Sequence, residues 1–331
     1  MGKWIRKSLL TIVLLHMLVF PVAANTIELI PVGKTIGLDL ECDGVYLIRF
    51  DGQNSPAQNA GLKVGDKIVS VNGNDLQNAE ELHSEILKSS GDQIILNVER
   101  CNKPMSFTVS PDSGKDGWQI GVYVQDRITG LGTVTFYDPG TGVFGALGHG
   151  VNQASTGLPI TLARGMAVDA RVSGIQKGAP GTPGSLKGSP KGRMLGVVLC
   201  NTPQGIFGYA EGTAWSGAAV PVASHEQITT GPAEILSTVN GTATKRYSVD
   251  IEELSFNSET GRNLLLKVTD PELLDETGGI VQGMSGSPII QNGRLIGAVT
   301  HVLIQDPTRG YGIFIENMLN GYQAEQITKA A

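Results

Sequence analysis

The chain has 331 residues, a formal net charge of −6 and 44 glycines, and only 17% of its residues are charged. That length suits two or three domains with a sizeable core. The glycine-rich, charge-poor composition points to a turn-rich, largely β protein, and the acidic balance leaves no basic face for nucleic acid.

Lys3, Arg6 and Lys7 precede an apolar run from Leu9 to Val19, followed by Pro21 and the small residues Ala23 and Ala24. This is the layout of a secretory signal or N-terminal membrane anchor over residues 1–24. The run falls short of the roughly 20 residues a spanning helix needs, which favours cleavage or slow release over permanent anchoring. An exported, extracytoplasmic protein is expected. Cys42, Cys101 and Cys200 are odd in number and lack metal-ligand spacing, so they make no zinc site. Cys42 and Cys101 either pair or stay as free thiols, and no cofactor is called for.

Residues 26–111 read as a small mixed module with strands at Leu38 to Leu40 and Val45 to Phe50. An amphipathic helix follows at Ala79 to Lys88, with Leu82 and Ile86 on one face. The steps Ala60-Gly61-Leu62, Gly65-Asp66 and Val71-Asn72-Gly73 closely resemble the core signature of PDZ domains. In such domains a peptide adds as an extra strand beside the strand that follows a glycine loop. The expected groove is bounded by Ile36, Gly37, Leu38 and Leu40 and faces Leu82 and Ile86, which a half-buried helix also needs as core anchors. His83 reads as a helix-surface residue.

Residues 112–117 have linker composition, and a second domain is expected over 118–331. Many short β-prone runs follow, which suggests a barrel or sandwich. The clearest hairpin flanks Asn292-Gly293, a pair suited to positive φ at both positions. Between Gly174 and Arg193, glycine, proline and lysine recur without apolar periodicity, so a long exposed loop is expected.

Gly283-Met284-Ser285-Gly286-Ser287-Pro288 places a serine in a glycine-flanked turn between apolar runs. Such a turn can aim the Gly283 and Ser285 amides at one point, an oxyanion hole for a carbonyl attacked by Ser285. A hydroxyl needs a base. His149, in Leu147-Gly148-His149-Gly150, leaves a strand end into glycines and is the best candidate. His225 reads as a loop residue, and His301 alternates with Thr300, so only one of those two should face a cleft. For the acid that orients the imidazole, Asp270, ending a strand fifteen positions before Ser285, is preferred over its competitor Asp169.

These motifs, with Gly297-Ala298-Val299-Thr300-His301-Val302 downstream, resemble the SpoIVB-type serine peptidases of endospore-forming bacteria (stage IV sporulation protein B, peptidase family S55). The resemblance covers nearly the whole chain. It implies a PDZ-like domain followed by a chymotrypsin-like double β-barrel, with a triad mapped onto His149, Asp270 and Ser285 and with Thr300 in the substrate groove. Most chymotrypsin-like enzymes carry the acid in the first barrel with the histidine, which keeps Asp169 open, and many have Asp where this chain has Met284. The resemblance further implies secretion into the forespore intermembrane space, self-cleavage, and cutting of a membrane-bound regulator of an intramembrane protease, which activates a late mother-cell sigma factor. The PDZ-like domain would hold that regulator or a second copy of the chain. Two other readings are a PDZ-type adaptor without catalysis and a general extracytoplasmic quality-control protease.

Overall fold

A computed structural model describes residues 27–153, 155–258 and 261–330. The expected export segment, residues 1–24, lies outside the described residues. The chain enters as β1 (Glu28–Pro31) and the long β2 (Thr35–Phe50). A module then follows with α1 (Pro56–Asn59), β3 (Lys67–Val71), β4 (Asn74–Asp75), α2 (Ala79–Lys88), β5 (Ile94–Arg100), β6 (Lys103–Val109) and the small hairpin β7 (Asp112–Gly114) and β8 (Gly117–Gln119). The equally long β9 (Val122–Tyr137) runs back beside β2, and β10 (Val143–Ala146), β11 (Leu162–Gln176), β12 (Ser185–Thr202) and β13 (Gly205–Ala210) complete the first half. After β14 (Val220–Pro221), the second half is β15 (Gly231–Ser237), β16 (Lys245–Leu254), β17 (Leu264–Val268), α3 (Pro271–Thr277), β18 (Pro288–Gln291), β19 (Arg294–Val302), β20 (Arg309–Phe314) and the terminal helix α4 (Ile315–Ala330).

Two closed barrels result. The first runs β2-β11-β12-β13-β10-β9 and shuts because β9 pairs back onto β2, and the second is β15-β16-β17-β20-β19-β18. Each has its own core, the first around Ile36, Leu38 and Leu40 and the second around Val249, Leu266 and Val299. Phe136, Phe207, Ile313 and the α4 residue Met318 form a further cluster that packs the two halves together.

The expected division at residues 111–118 is replaced by shared strands. In β2 the buried side chains fall on Ile36, Leu38, Leu40 and Cys42, then change phase to Val45 and Leu47. Side chains alternate across a strand, so this phase change turns one strand from the barrel core to the core of the inserted module. The register with β9 slips at the same place, with Glu41 opposite Arg127 and Tyr46 opposite Gln125. The first barrel is therefore built partly from residues that precede the module. Residues 112–117 are not a free linker but contribute to the β7–β8 hairpin.

Within the module, Asn78 caps α2 by accepting from the Glu81 amide at 2.9 Å, and the fully buried Asp66 binds Arg100 Nε at 2.6 Å. Cys42 and Cys200 are buried and Cys101 exposed, all as free thiols. Burial pushes the Cys42 thiol up to about 11, which leaves it unreactive. Asn292 and Gly293 have φ of 51° and 73° and close the β18–β19 hairpin as the sequence implies.

The stretch expected as a long loop at 174–193 instead forms the distal end of the β11–β12 hairpin, with Gln176 opposite Ser185 and only residues 177–184 left as the connecting loop. Backbone pairing needs no apolar alternation, and several register shifts accommodate the irregular sequence. This hairpin reaches the second barrel, where the Leu186 amide donates to the Gln282 carbonyl at 2.8 Å.

Candidate active site

Ser285 is held from both barrels. From β9, the Thr133 amide donates to the Ser285 carbonyl at 2.9 Å. The Thr133 hydroxyl donates to the Gly283 carbonyl at 2.7 Å and the Thr135 hydroxyl to the Gly286 carbonyl at 2.8 Å. From β19, the Val299 carbonyl accepts from the Gly286 amide at 2.7 Å. Met284 is fully buried in the core of the second barrel and anchors the loop by packing. Gly283 and Gly286 have φ of +99° and +97°, which turns the chain sharply on both sides of Ser285. Among the described residues neither the Gly283 nor the Ser285 amide donates to a protein acceptor, as an oxyanion hole requires.

His149 follows two left-handed residues, Leu147 and Gly148, at φ of 69° and 70°. The Leu147 amide bonds the Thr133 carbonyl at 3.2 Å, so β9 also fixes the start of the histidine turn. Ser285, His149, Thr300 and His301 line one cleft of about 500 Å³ between the barrels, with apolar walls that include Leu131, Ile280 and Val302. The Ser285 hydroxyl donates to the Thr300 carbonyl at 2.7 Å. His149 Nδ1 lies 2.9 Å from the Gly150 carbonyl, a contact that requires Nδ1 to carry the proton and leaves Nε2 as the base. The serine hydroxyl is committed to the Thr300 carbonyl, and catalytic hydrogen bonds commonly form only on substrate binding.

Alternation along β19 implies that only one of Thr300 and His301 faces the cleft, yet both do. The β19–β20 register shifts between Val299 and His301, and the irregularity at Thr300 sets the next residue on the same side. The His149 and His301 rings lie 4.9 Å apart between centroids. Desolvation lowers the pKa of His149 against the opposing pull of the Gly150 carbonyl. His301 is pushed down to about 4 by desolvation in the cleft, then by the neighbouring His149 and Arg262.

Both rings thus bind a proton less readily in the folded chain than at the ordinary value of 6.5. The unfolded chain takes up more protons below that value, so this share of stability is complete above pH 6.5 and is lost as pH falls toward 4. Melting temperatures of the wild type are expected to drop between about pH 7 and about pH 5, and His301→Asn should flatten that drop. Equal slopes for the two proteins would refute the coupling.

The two candidate acids are elsewhere. Asp270 caps α3: one carboxylate oxygen accepts from the Leu273 amide at 3.0 Å and the other from the Ser248 amide at 3.3 Å. Leu265 lies opposite Tyr311, which lies opposite His301, and Asp270 is five residues further along, roughly 16 Å at 3.3 Å per residue. A strand-end Asp before Pro fits a helix N-cap as well as it fits a triad acid, and Pro271 occupies the first turn of α3. Asp169 pairs with Lys34 at 2.7 Å on the first barrel. Among the described residues no carboxylate lies within ion-pair distance of His149, whose acceptor is the Gly150 carbonyl.

The residues expected to form the groove also lie elsewhere. Ile36, Gly37, Leu38 and Leu40 have no free strand edge. Leu38 pairs with Ala167 of β11 on one side and with Gly130 of β9 on the other. Leu38 and Leu40 line the catalytic cleft instead. The strand beside α2 is the first part of β9: Leu82, His83 and Ile86 share a groove with Trp118, Ile120 and Val122. There β9 pairs with β2 along one edge only, through Leu47 and Val124. Ile120-Gly121-Val122 has the same apolar-glycine-apolar pattern as Ile36-Gly37-Leu38, and that repeat is the signal from which this groove was recoverable.

Two six-stranded barrels with a serine turn and a histidine turn meeting at their seam define a chymotrypsin-like serine peptidase, here with a PDZ domain inserted between strands of its first barrel. The SpoIVB peptidase S55 profile matches residues 116–319, and the chain belongs to that family. A PDZ domain profile matches residues 52–100. Among curated proteins, the chain is 38% identical over 63 residues to Protease RseP of Yersinia pestis, covering 19% of this chain and 14% of that protein. It is 36% identical over 69 residues to Serine protease HTRA3 of Homo sapiens, covering 21% and 15%. The chain thus spans only a small part of the length of these relatives. Among solved structures, the PDZ domain of the SdrC-like protein from Listeria monocytogenes is 26% identical, covers 25% of this chain and 90% of that chain, and has a TM-score of 0.23. The active form of the Rv3671c protease from M. tuberculosis is 16% identical, covers 60% of this chain and 74% of that chain, and has a TM-score of 0.36.

Proposed function

We propose that this serine peptidase is an exported endopeptidase of a sporulation signalling pathway, cleaving itself and a membrane-bound regulator whose loss releases an intramembrane protease. Membership of the SpoIVB peptidase S55 family is the observation that carries this reading. Within it, Ser285 Oγ attacks the scissile carbonyl while its proton passes to His149 Nε2, and the Gly283 and Ser285 amides hold the oxyanion. The proton then goes to the leaving amine, and water resolves the acyl-enzyme by the same route in reverse. The Gly150 carbonyl orients the imidazole through Nδ1, the task a triad acid otherwise performs. The groove between α2 and the start of β9 binds an extended segment of the regulator, or of a second copy during self-cleavage.

A fluorophosphonate probe tests the catalytic assignment. Labelling is expected at Ser285, lost in His149→Ala and retained in Asp270→Ala, which should cost about 1 kcal/mol of stability as a lost N-cap. Loss of labelling in a folded Asp270→Ala protein would restore that residue as the acid. Absence of labelling in the folded wild type would favour a binding role without catalysis.

A further inference from the structure

Beside the catalytic cleft lies a second hollow of about 270 Å³ that shares His149 and His301 with it and is bounded by Pro203, Gln204 and Arg262. Among the described residues that line either hollow, Arg262 carries the only fixed charge. Its guanidinium lies 5.0 Å over the Tyr311 ring, and Tyr311 is the cross-strand partner of His301. The side chain is exposed and makes no ion pair among the described residues. Stacking on an aromatic face leaves the donors at the guanidinium edge free for a planar, bidentate acceptor. The field of this group reaches the reacting centre, since it contributes to the low pKa of His301.

We propose that Arg262 is a specificity-determining residue that selects a substrate segment with an Asp or Glu side chain flanking the scissile bond, while the apolar cleft takes a neighbouring apolar side chain. The inference rests on the peptidase reading of Ser285 and His149. A carboxylate entering this hollow meets a pre-positioned fork of donors beside the reacting bond. A lysine there brings like charge against Arg262 and is disfavoured.

The test uses the full chain and a peptide library with Glu, Gln or Lys at each position flanking the cut, read by mass spectrometry. The wild type is expected to prefer the Glu peptide over its Lys counterpart by about tenfold in kcat/KM, the size of one charge-assisted hydrogen bond. Arg262→Lys, which keeps the charge but not the stacked fork, should keep only part of that ratio, Arg262→Gln should bring it near unity and Arg262→Glu should invert it. The same ratio in the wild type and in Arg262→Glu, with matching melting curves, overturns the proposal. Anisotropy with labelled peptides and the Ser285→Ala protein reads the charge preference without bond cleavage. Preference for Glu there that Arg262→Gln abolishes, with no cutting by the wild type, would sink the peptidase reading and uphold the role of Arg262. Binding indifferent to peptide charge would overturn that role.

Discussion

Replacing Ser285 by alanine is expected to lower turnover by about four to six orders of magnitude, the range seen when a serine nucleophile is removed from its catalytic unit. The fold should survive, because among the described residues the side chain makes one hydrogen bond, to the Thr300 carbonyl, while the loop is held through its backbone and by Met284. The other hydroxyl at the cleft, on Thr300, is engaged with the Tyr311 carbonyl at 3.1 Å and is not a substitute nucleophile. Cleavage of a peptide substrate, followed beside a thermal melt, checks both halves. Substantial cutting by a folded Ser285→Ala protein would place the nucleophile elsewhere.

Gly286→Ala is expected to damage the protein through its architecture. A Cβ at Gly286 would stand 2.0 Å from the Thr133 carbonyl oxygen and 2.5 Å from the Leu147 amide nitrogen, both backbone atoms, and φ is already +97°. Neither neighbour can rotate away, so β9 and the serine loop must separate along the seam that carries Thr133, Leu147 and His149. Destabilisation of about 3 kcal/mol or more is expected, from overpacking together with backbone strain, and with it loss of the register between Ser285 and His149. Gly293→Ala supplies the comparison, since that glycine has φ of +73° but nothing within 4 Å of the added atom. It should cost about 1 to 2 kcal/mol from strain alone and leave cleavage intact. Denaturant melts and peptide turnover of the two variants separate these outcomes, and equal losses would mean that the seam yields more readily than its contacts imply.

Features decided by a few neighbouring residues were legible in the sequence. Asn292-Gly293 dictated a tight hairpin because both residues accept positive φ. The spacing of Leu82 and Ile86 placed one face of α2 in a core. The glycines around Ser285 and those beside His149 marked sharp turns, and the structure brings those turns to one cleft. The alternation of Ile36, Leu38 and Leu40 marked a strand with a buried face, but the alternation is the same whether that face closes a barrel or lines a peptide groove.

What the tertiary structure decided was partnership across long separations. β2 and β9 each run through two cores, and the pairing that sends Ile36 to the barrel and Ile120 to the groove beside α2 joins residues as far apart in sequence as Thr35 and Thr133. Asp270 has the local chemistry of both a catalytic acid and a helix cap, and only the placement of α3 at the far end of β17 made it a cap. The irregularity at Thr300 that turns both Thr300 and His301 toward the cleft depends on how β19 meets β20. Turn chemistry and side-chain period are written within a few residues, whereas the choice of neighbouring strand is a free-energy competition among distant segments with nearly identical local patterns.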